Sequence, residues 1–124
     1  MKTTTIIARS LLGLIFVVFG LNVFLHFIPM PPPQGALAGD FLKALFLSRY
    51  LYVVAVLQIA GGALCLIGKY VPLGLLLLGP VIVNILLFHV LLDPAGLPLA
   101  LVVSVLGLFV LFANRAAFAG LVKA

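Results

Sequence analysis

Charged residues are scarce in this 124-residue chain. Asp and Glu together number 2, Lys and Arg number 7, and charged residues make up 7% of the sequence, whereas 66% is hydrophobic. The mean hydropathy is +1.47, while soluble globular domains are roughly half apolar and a quarter charged. The composition therefore excludes an ordinary soluble domain and indicates an integral membrane protein.

Cysteine is nearly absent as well, because Cys65 is the only one. A single cysteine excludes an intrachain disulfide, a CxxC thiol pair and a cysteine-based metal cluster. The few cations are dispersed singly, whereas a nucleic-acid surface needs a clustered basic patch, so no nucleic-acid partner is predicted. No serine or cysteine stands beside a base and an orienting acid, which argues against hydrolytic chemistry. Whether the protein is an enzyme stays open.

Four apolar runs are each long enough to span a bilayer, which takes about 20 residues. They cover about residues 5–28, 49–68, 72–92 and 97–114. The first run is longer than the apolar part of a signal peptide, roughly 7–15 residues, and it lacks a cleavage pattern. The sequence predicts an all-α fold, an integral membrane antiparallel four-helix bundle in a single domain of residues 1–124. One such bundle without an inverted repeat argues against a transporter.

The segment between the first two runs is too short and too polar to span. Four prolines between positions 29 and 33 end the first span, because proline cannot continue a helix. Asp40 then supports the start of a short helix, and Phe41 and Leu45 recur there at helical spacing. We expect this helix to be interfacial, lying on the membrane surface between spans 1 and 2, where it could cover whatever lies beneath it.

Two further patterns lie within the spans. Gln58, Gly61, Gly62 and Cys65 fall on one face of the second span, which predicts a packing seam with Gln58 as an interhelical hydrogen bonder. Pro80 predicts a kink in the third span.

The cations are distributed unequally between the two sides of such a bundle. Four spans put both chain ends and the 69–71 turn on one side, with five of the seven cations, and leave Lys43 and Arg49 on the other. Cytoplasmic loops carry an excess of Lys and Arg. Both termini are therefore predicted to be cytoplasmic.

Polar side chains within the spans gather toward the outer half of the bundle. Positions along antiparallel helices, at about 1.5 Å per residue, place them there or at the midplane. Because polar groups at membrane depth usually face a bundle interior or a wet cavity, we predict an outer-leaflet polar pocket. An Asp93 carboxylate accepting from His89 would set the tautomer of the ring. The predicted site residues are Asn22, His26, Gln58, Asn84, His89 and Asp93.

Three interpretations of these residues stay open. The pocket could bind a quinone-like or lipid ligand, with a histidine moving the accompanying proton. His26 and His89 could instead hold haem or a metal ion, because imidazole is the commonest metal ligand. Two histidines alone do not specify a metal site, so none is predicted, and haem ranks behind quinone. The polar groups could also serve only helix packing.

Three stretches resemble the DoxX family of membrane proteins. They are residues 20–32, residues 58–68, and the segment from Pro80 through Asn84, His89 and Asp93 to Pro98. The resemblance covers nearly the whole chain and implies a four-helix bundle in a bacterial inner membrane. It further implies an association with quinone-linked redox chemistry. Family members often have an acidic residue where Gln58 stands, so this chain lacks a mid-membrane carboxylate for proton transfer.

The functional prediction combines these observations. We expect a small inner-membrane accessory subunit of a quinone-linked redox system that binds a quinone-like or lipid ligand. Its expected partners are membrane lipid, a redox partner protein and a second copy of the chain. The alternative is a non-catalytic assembly or structural factor whose polar residues pack helices.

Overall fold

The computed structural model describes residues 2–123, so the predicted domain extends one residue beyond the described part at each end. In chain order the helices are α1 (Lys2–Leu25), α2 (Ala36–Leu47), α3 (Tyr50–Ile67), α4 (Val71–Leu91), α5 (Leu97–Ala113) and α6 (Arg115–Phe118), with 3₁₀ turns at Pro94–Gly96 and Ala119–Val122. No strand occurs among these residues. The predicted all-α class with four long apolar helices is confirmed.

The four long helices form a closed ring around one core. α1 packs against α3 and α5, and α4 packs against the same two helices. Each helix contributes one of the largest fully buried side chains, which are Leu12, Cys65, Leu78 and Val110. The core is therefore shared by all four helices.

The outward faces of these helices are apolar too. In each of the four long helices, no more than 33% of an apolar stretch of 18 residues is buried. At least half of the side-chain surface is exposed at Leu14, Val53, Leu76 and Val105, one on each long helix. A helix that is apolar all round is typical of a large core or a membrane span, and these faces are uncovered. They indicate a multi-pass membrane protein.

Helix α1 ends at Leu25, three residues before the predicted boundary at 28. The Asn22 side chain accepts the Ile28 N–H at 2.7 Å and donates to the Ile28 carbonyl at 3.1 Å. His26 adopts the left-handed conformation, with φ 51°, and donates its N–H to the Asn22 carbonyl at 2.9 Å. A left-handed residue with such a bond commonly ends a helix. Asn22 and His26 thus turn the chain before the prolines are reached.

Helix α2 begins at Ala36, earlier than the predicted start at Asp40. Gly35 precedes it with φ 97°, a conformation that glycine adopts without a steric cost. The helix therefore begins three residues after the last proline, Pro33, and Asp40 lies in its second turn. α2 packs against α3, and its Phe41 ring lies 5.5 Å from the Phe88 ring of α4. It covers the junction between α3 and α4.

Two pairs of glycines permit close approach of the long helices. A Cβ on Gly13 would lie 2.5 Å from the Gly62 carbonyl oxygen, between α1 and α3. A Cβ on Gly61 would lie 3.0 Å from the Gly74 carbonyl oxygen, between α3 and α4. The small-residue stripe of α3 therefore packs against two neighbouring helices, α1 and α4.

Gln58 makes no side-chain hydrogen bond within residues 2–123, so its predicted interhelical hydrogen bond is wrong.

Arg9 joins α1 to the end of α3. Its guanidinium donates from Nη1 to the carbonyls of Cys65 at 2.9 Å and Leu66 at 3.1 Å. These carbonyls belong to the last turn of α3, where a cation is favourable because the helix dipole is negative there. Gly68 follows in the left-handed conformation, and a Cβ on it would collide with the guanidinium. Arg9 thus has a structural role at the end opposite to the candidate site.

Candidate functional site

A cavity of about 440 Å³ lies between α2, α3 and α4. Its volume falls in the range of small-molecule sites, roughly 300–1,000 Å³. Phe41, Leu42 and Leu45 of α2 form one wall, and α3 and α4 supply the others. Most lining residues are aliphatic or aromatic. We call this space the main cavity.

Three of the six predicted site residues line the main cavity, namely Gln58, Asn84 and His89. Asn84 and His89 both line it although they are five positions apart on α4. The Asn84 amide donates to the Pro80 carbonyl at 2.8 Å, which leaves its oxygen without a protein partner in the described chain. The side chains of Asn84 and Gln58 therefore give the cavity both hydrogen-bond donors and hydrogen-bond acceptors.

A second cavity of about 180 Å³ lies on the other side of Gln58 and His89. Gln58, Ile85 and His89 line both cavities, so they form the partition between them. The smaller cavity is otherwise apolar, with Phe16 and Phe19 from α1 among its walls. A ligand that contacts Gln58 or His89 can therefore extend into either cavity.

The His89 ring is oriented by a main-chain contact. Its Nδ1 lies 2.9 Å from the backbone carbonyl oxygen of Asp93, whereas the sequence predicted a bond to the Asp93 carboxylate. One carboxylate oxygen, Oδ1, is buried without a hydrogen-bond partner, and Asp93 lines neither cavity. The last turn of α4 explains the difference, because the bend into the Pro94–Gly96 turn aims the carbonyl back toward the ring.

Two neighbours hold the His89 ring in place. The Phe88 ring meets it edge to face, with centroids 5.0 Å apart and planes at 79°. On another side the ring lies against Gly96, where a Cβ would collide with its Cε1. The contact of Gly96 with the His89 ring was not predicted from the sequence. It could have been suspected from the Asp-Pro-Ala-Gly turn, which returns the chain toward the end of α4.

Asn22 and His26 line neither cavity. Asn22 is buried, with 7% of its surface exposed, and both ends of its amide bond the Ile28 backbone. His26 is exposed. The structure therefore does not gather the two histidines at one cavity, and ligation of haem by this pair is not supported.

Neither cavity is lined by a charged side chain from the described residues, because Asp, Glu, Lys and Arg are missing from both walls. Within residues 2–123 there is also no group of three or more His, Cys, Asp or Glu that could hold a metal ion. What the arrangement can do is bind the neutral polar group of an otherwise apolar molecule, with His89 able to take or give a proton.

The α2 wall of the main cavity was anticipated only in part, because the sequence placed α2 over whatever lies beneath it without assigning its residues to a wall. Phe41 and Leu45 were expected to rest on the membrane surface, yet they line the cavity. Their spacing showed an apolar face and not what that face would cover. No family model, curated protein or solved structure matches the chain.

Proposed function

We propose that the protein is a small membrane protein that binds a neutral, largely apolar ligand, quinone-like or lipid, in the main cavity. The observation that carries this proposal is the presence of Gln58, Asn84 and His89 in an otherwise apolar space of about 440 Å³. Ligand sites typically combine apolar walls with a few polar groups that fix orientation. Polar side chains that lack partners in an apolar bundle are costly, and a ligand group would satisfy them.

The proposed setting is a bacterial inner membrane crossed by four antiparallel spans. Both termini and the 69–71 turn lie in the cytoplasm, as the distribution of cations favours. The main cavity then lies in the outer half, with α2 at the outer surface above it. α2 has the two faces of an interfacial helix, since Phe41 and Leu45 line the cavity while Asp40 and Lys43 are exposed.

A role as an accessory subunit of a quinone-linked redox system is proposed on two grounds. The first is the resemblance of three stretches to DoxX-type proteins. The second is chemical, because His89 can exchange the proton that accompanies reduction of a quinone. A redox partner protein and a second copy of the chain are the proposed protein partners.

Mass spectrometry of the lipid extract and an optical spectrum, both on gently purified protein, test the proposal. We expect a stoichiometric quinone or neutral lipid in the wild type, retained in His26→Asn and lost in His89→Phe. The two variants form a matched pair because the chain has two histidines and only His89 lines the cavities. Wild-type protein that retains bulk phospholipid but no stoichiometric ligand would contradict the proposal. A Soret band would redirect it to haem.

The second candidate function is a membrane assembly factor, favoured by polar residues that serve the fold. Asn22 bonds the backbone of the 26–28 turn and Arg9 the last turn of α3. If His89 has the same role, His89→Phe would impair folding or assembly and there would be no ligand to lose. Normal assembly with lost ligand would favour the binding protein.

A further inference from the structure

The contact between His89 and Asp93 determines which ring nitrogen is available to a ligand. A carbonyl oxygen only accepts hydrogen bonds, so Nδ1, 2.9 Å from the Asp93 carbonyl, carries the hydrogen. A neutral imidazole has one N–H, and its other nitrogen is an acceptor. Nε2 therefore presents a lone pair.

Nε2 has no hydrogen-bond partner within residues 2–123. It is also not enclosed, because the only buried and unpartnered side-chain polar atom in that range is Oδ1 of Asp93. The ring that carries Nε2 lines both cavities. This acceptor therefore belongs to a ring that forms part of the partition between the two cavities.

The ring cannot readily turn to offer a donor instead. A half-turn about Cβ–Cγ would put Cδ2 in the place of Nδ1 and lose the bond to the Asp93 carbonyl. Intermediate orientations would also lose the edge-to-face contact with Phe88. Gly96 closes a further side, where even a Cβ would collide with the ring. The fold therefore holds His89 as an acceptor.

The remaining chemistry of the walls restricts the charge and shape of the ligand. Neither cavity has a cationic side chain among the described residues to pair with a phosphate, so an anionic head group would be buried unpaired. Phe41, Phe88 and Tyr50 line the main cavity, and aromatic walls favour a flat ring by stacking. The walls therefore favour a neutral ligand, and their aromatic side chains favour one with a ring.

From these observations we infer that His89 accepts a hydrogen bond from a ligand hydroxyl, so that the main cavity selects neutral hydroxyl-bearing ligands over their carbonyl or ether counterparts. This inference rests on the proposed ligand-binding function. A hydroquinone and a diacylglycerol share the required hydroxyl. For a quinone-like ligand, the consequence is that the reduced form binds more tightly than the oxidised form.

Binding of matched ligands to the wild-type protein in lipid nanodiscs tests the inference. The first set is a short-chain hydroquinone, its dimethyl ether and the corresponding quinone, measured anaerobically. The second is a diacylglycerol and its methyl ether. In at least one set we expect the hydroxyl ligand to bind about tenfold more tightly than its ether, since a bound ether displaces water from Nε2 without donating a hydrogen bond to it.

The outcomes separate the inference from the proposed function. Preference for the hydroxyl in either set supports the inference and identifies the source of the ligand. Equal binding of hydroxyl and ether, or tighter binding of the quinone than of the hydroquinone, overturns it while leaving a ligand site in place. Failure of every compound to bind would overturn the proposed function itself.

Variants then assign the preference to His89. We expect the ratio of hydroxyl to ether affinity to fall to about one in His89→Phe, which removes both ring nitrogens, and to be unchanged in His26→Asn. Because the ratio is measured within one protein, a loss of folded protein lowers the binding capacity for both ligands equally and leaves the ratio of affinities unaffected. A ratio that persists in His89→Phe would overturn the assignment.

Discussion

Two asparagines in this chain have the same chemistry and opposite roles. Asn22 is buried and both ends of its amide bond the Ile28 backbone. Asn84 is exposed at the wall of the main cavity and uses one donor on the Pro80 carbonyl. The neighbouring backbone decides between them, because the chain after Asn22 folds back onto its side chain.

Replacing each asparagine with leucine should separate stability from binding. Asn22→Leu leaves the Ile28 N–H and carbonyl without their side-chain partner, so we expect the free energy of unfolding to fall by about 1–3 kcal/mol. Asn84→Leu should change it by less than about 1 kcal/mol, because an exposed group loses little, while weakening ligand binding. Denaturant unfolding in detergent and ligand titration measure the two effects. A larger stability loss in Asn84→Leu would show that both residues are structural.

At the scale of the helices, glycine allows backbones to touch where a larger side chain would hold them apart. Gly13 lies against the carbonyl of Gly62 and the backbone N of Leu66, both on α3. Close backbone approach through small residues is a common way for membrane helices to associate. The α1–α3 contact that results places Phe16 and Phe19 beside the smaller cavity.

Gly13→Ala should therefore destabilise the protein, whereas Gly39→Ala should not. A Cβ at position 13 would lie 2.5 Å from a backbone oxygen, so α1 and α3 must separate. Overpacking of this kind costs about 1–3 kcal/mol. At Gly39 of α2 a Cβ meets nothing within 4 Å, and alanine is the better helix former by up to about 1 kcal/mol. Equal unfolding midpoints for the two variants would refute the close contact.

For the whole molecule, the proposed topology sets which loops share a side of the membrane. Four spans place residues 69 and 123 together and residue 43 opposite, and Lys43 and Lys69 are both exposed. The native Cys65 is fully buried, so a membrane-impermeant reagent does not reach it in the folded protein, and its replacement by alanine removes any labelling of unfolded protein at this position.

Cysteine labelling tests this topology. In a Cys65→Ala background, we expect Lys69→Cys and Lys123→Cys to react with a membrane-impermeant reagent only after the cells are opened. Lys43→Cys should react in intact cells, because it lies on the opposite side. Labelling of all three from the same side would contradict the four-span arrangement.

The sequence alone determined the class of the protein and most of its helices. Charge was too scarce for a soluble surface, and apolar runs of about 20 residues define spans whatever their neighbours are. Their boundaries shifted where side chains bond the backbone, as Asn22 does to end α1. Such local bonds depend on a turn geometry that hydropathy does not encode.

The candidate site was decided by the tertiary structure. Spacing and depth selected six polar residues, but only packing separates Gln58, Asn84 and His89, which line the main cavity, from Asn22 and His26, which form the turn after α1. The acceptor state of His89 depends on a carbonyl that the α4–α5 turn brings to its ring. Composition and helical periodicity specify which residues enter the membrane. Which polar atoms remain unpaired there depends on the contacts between helices and turns.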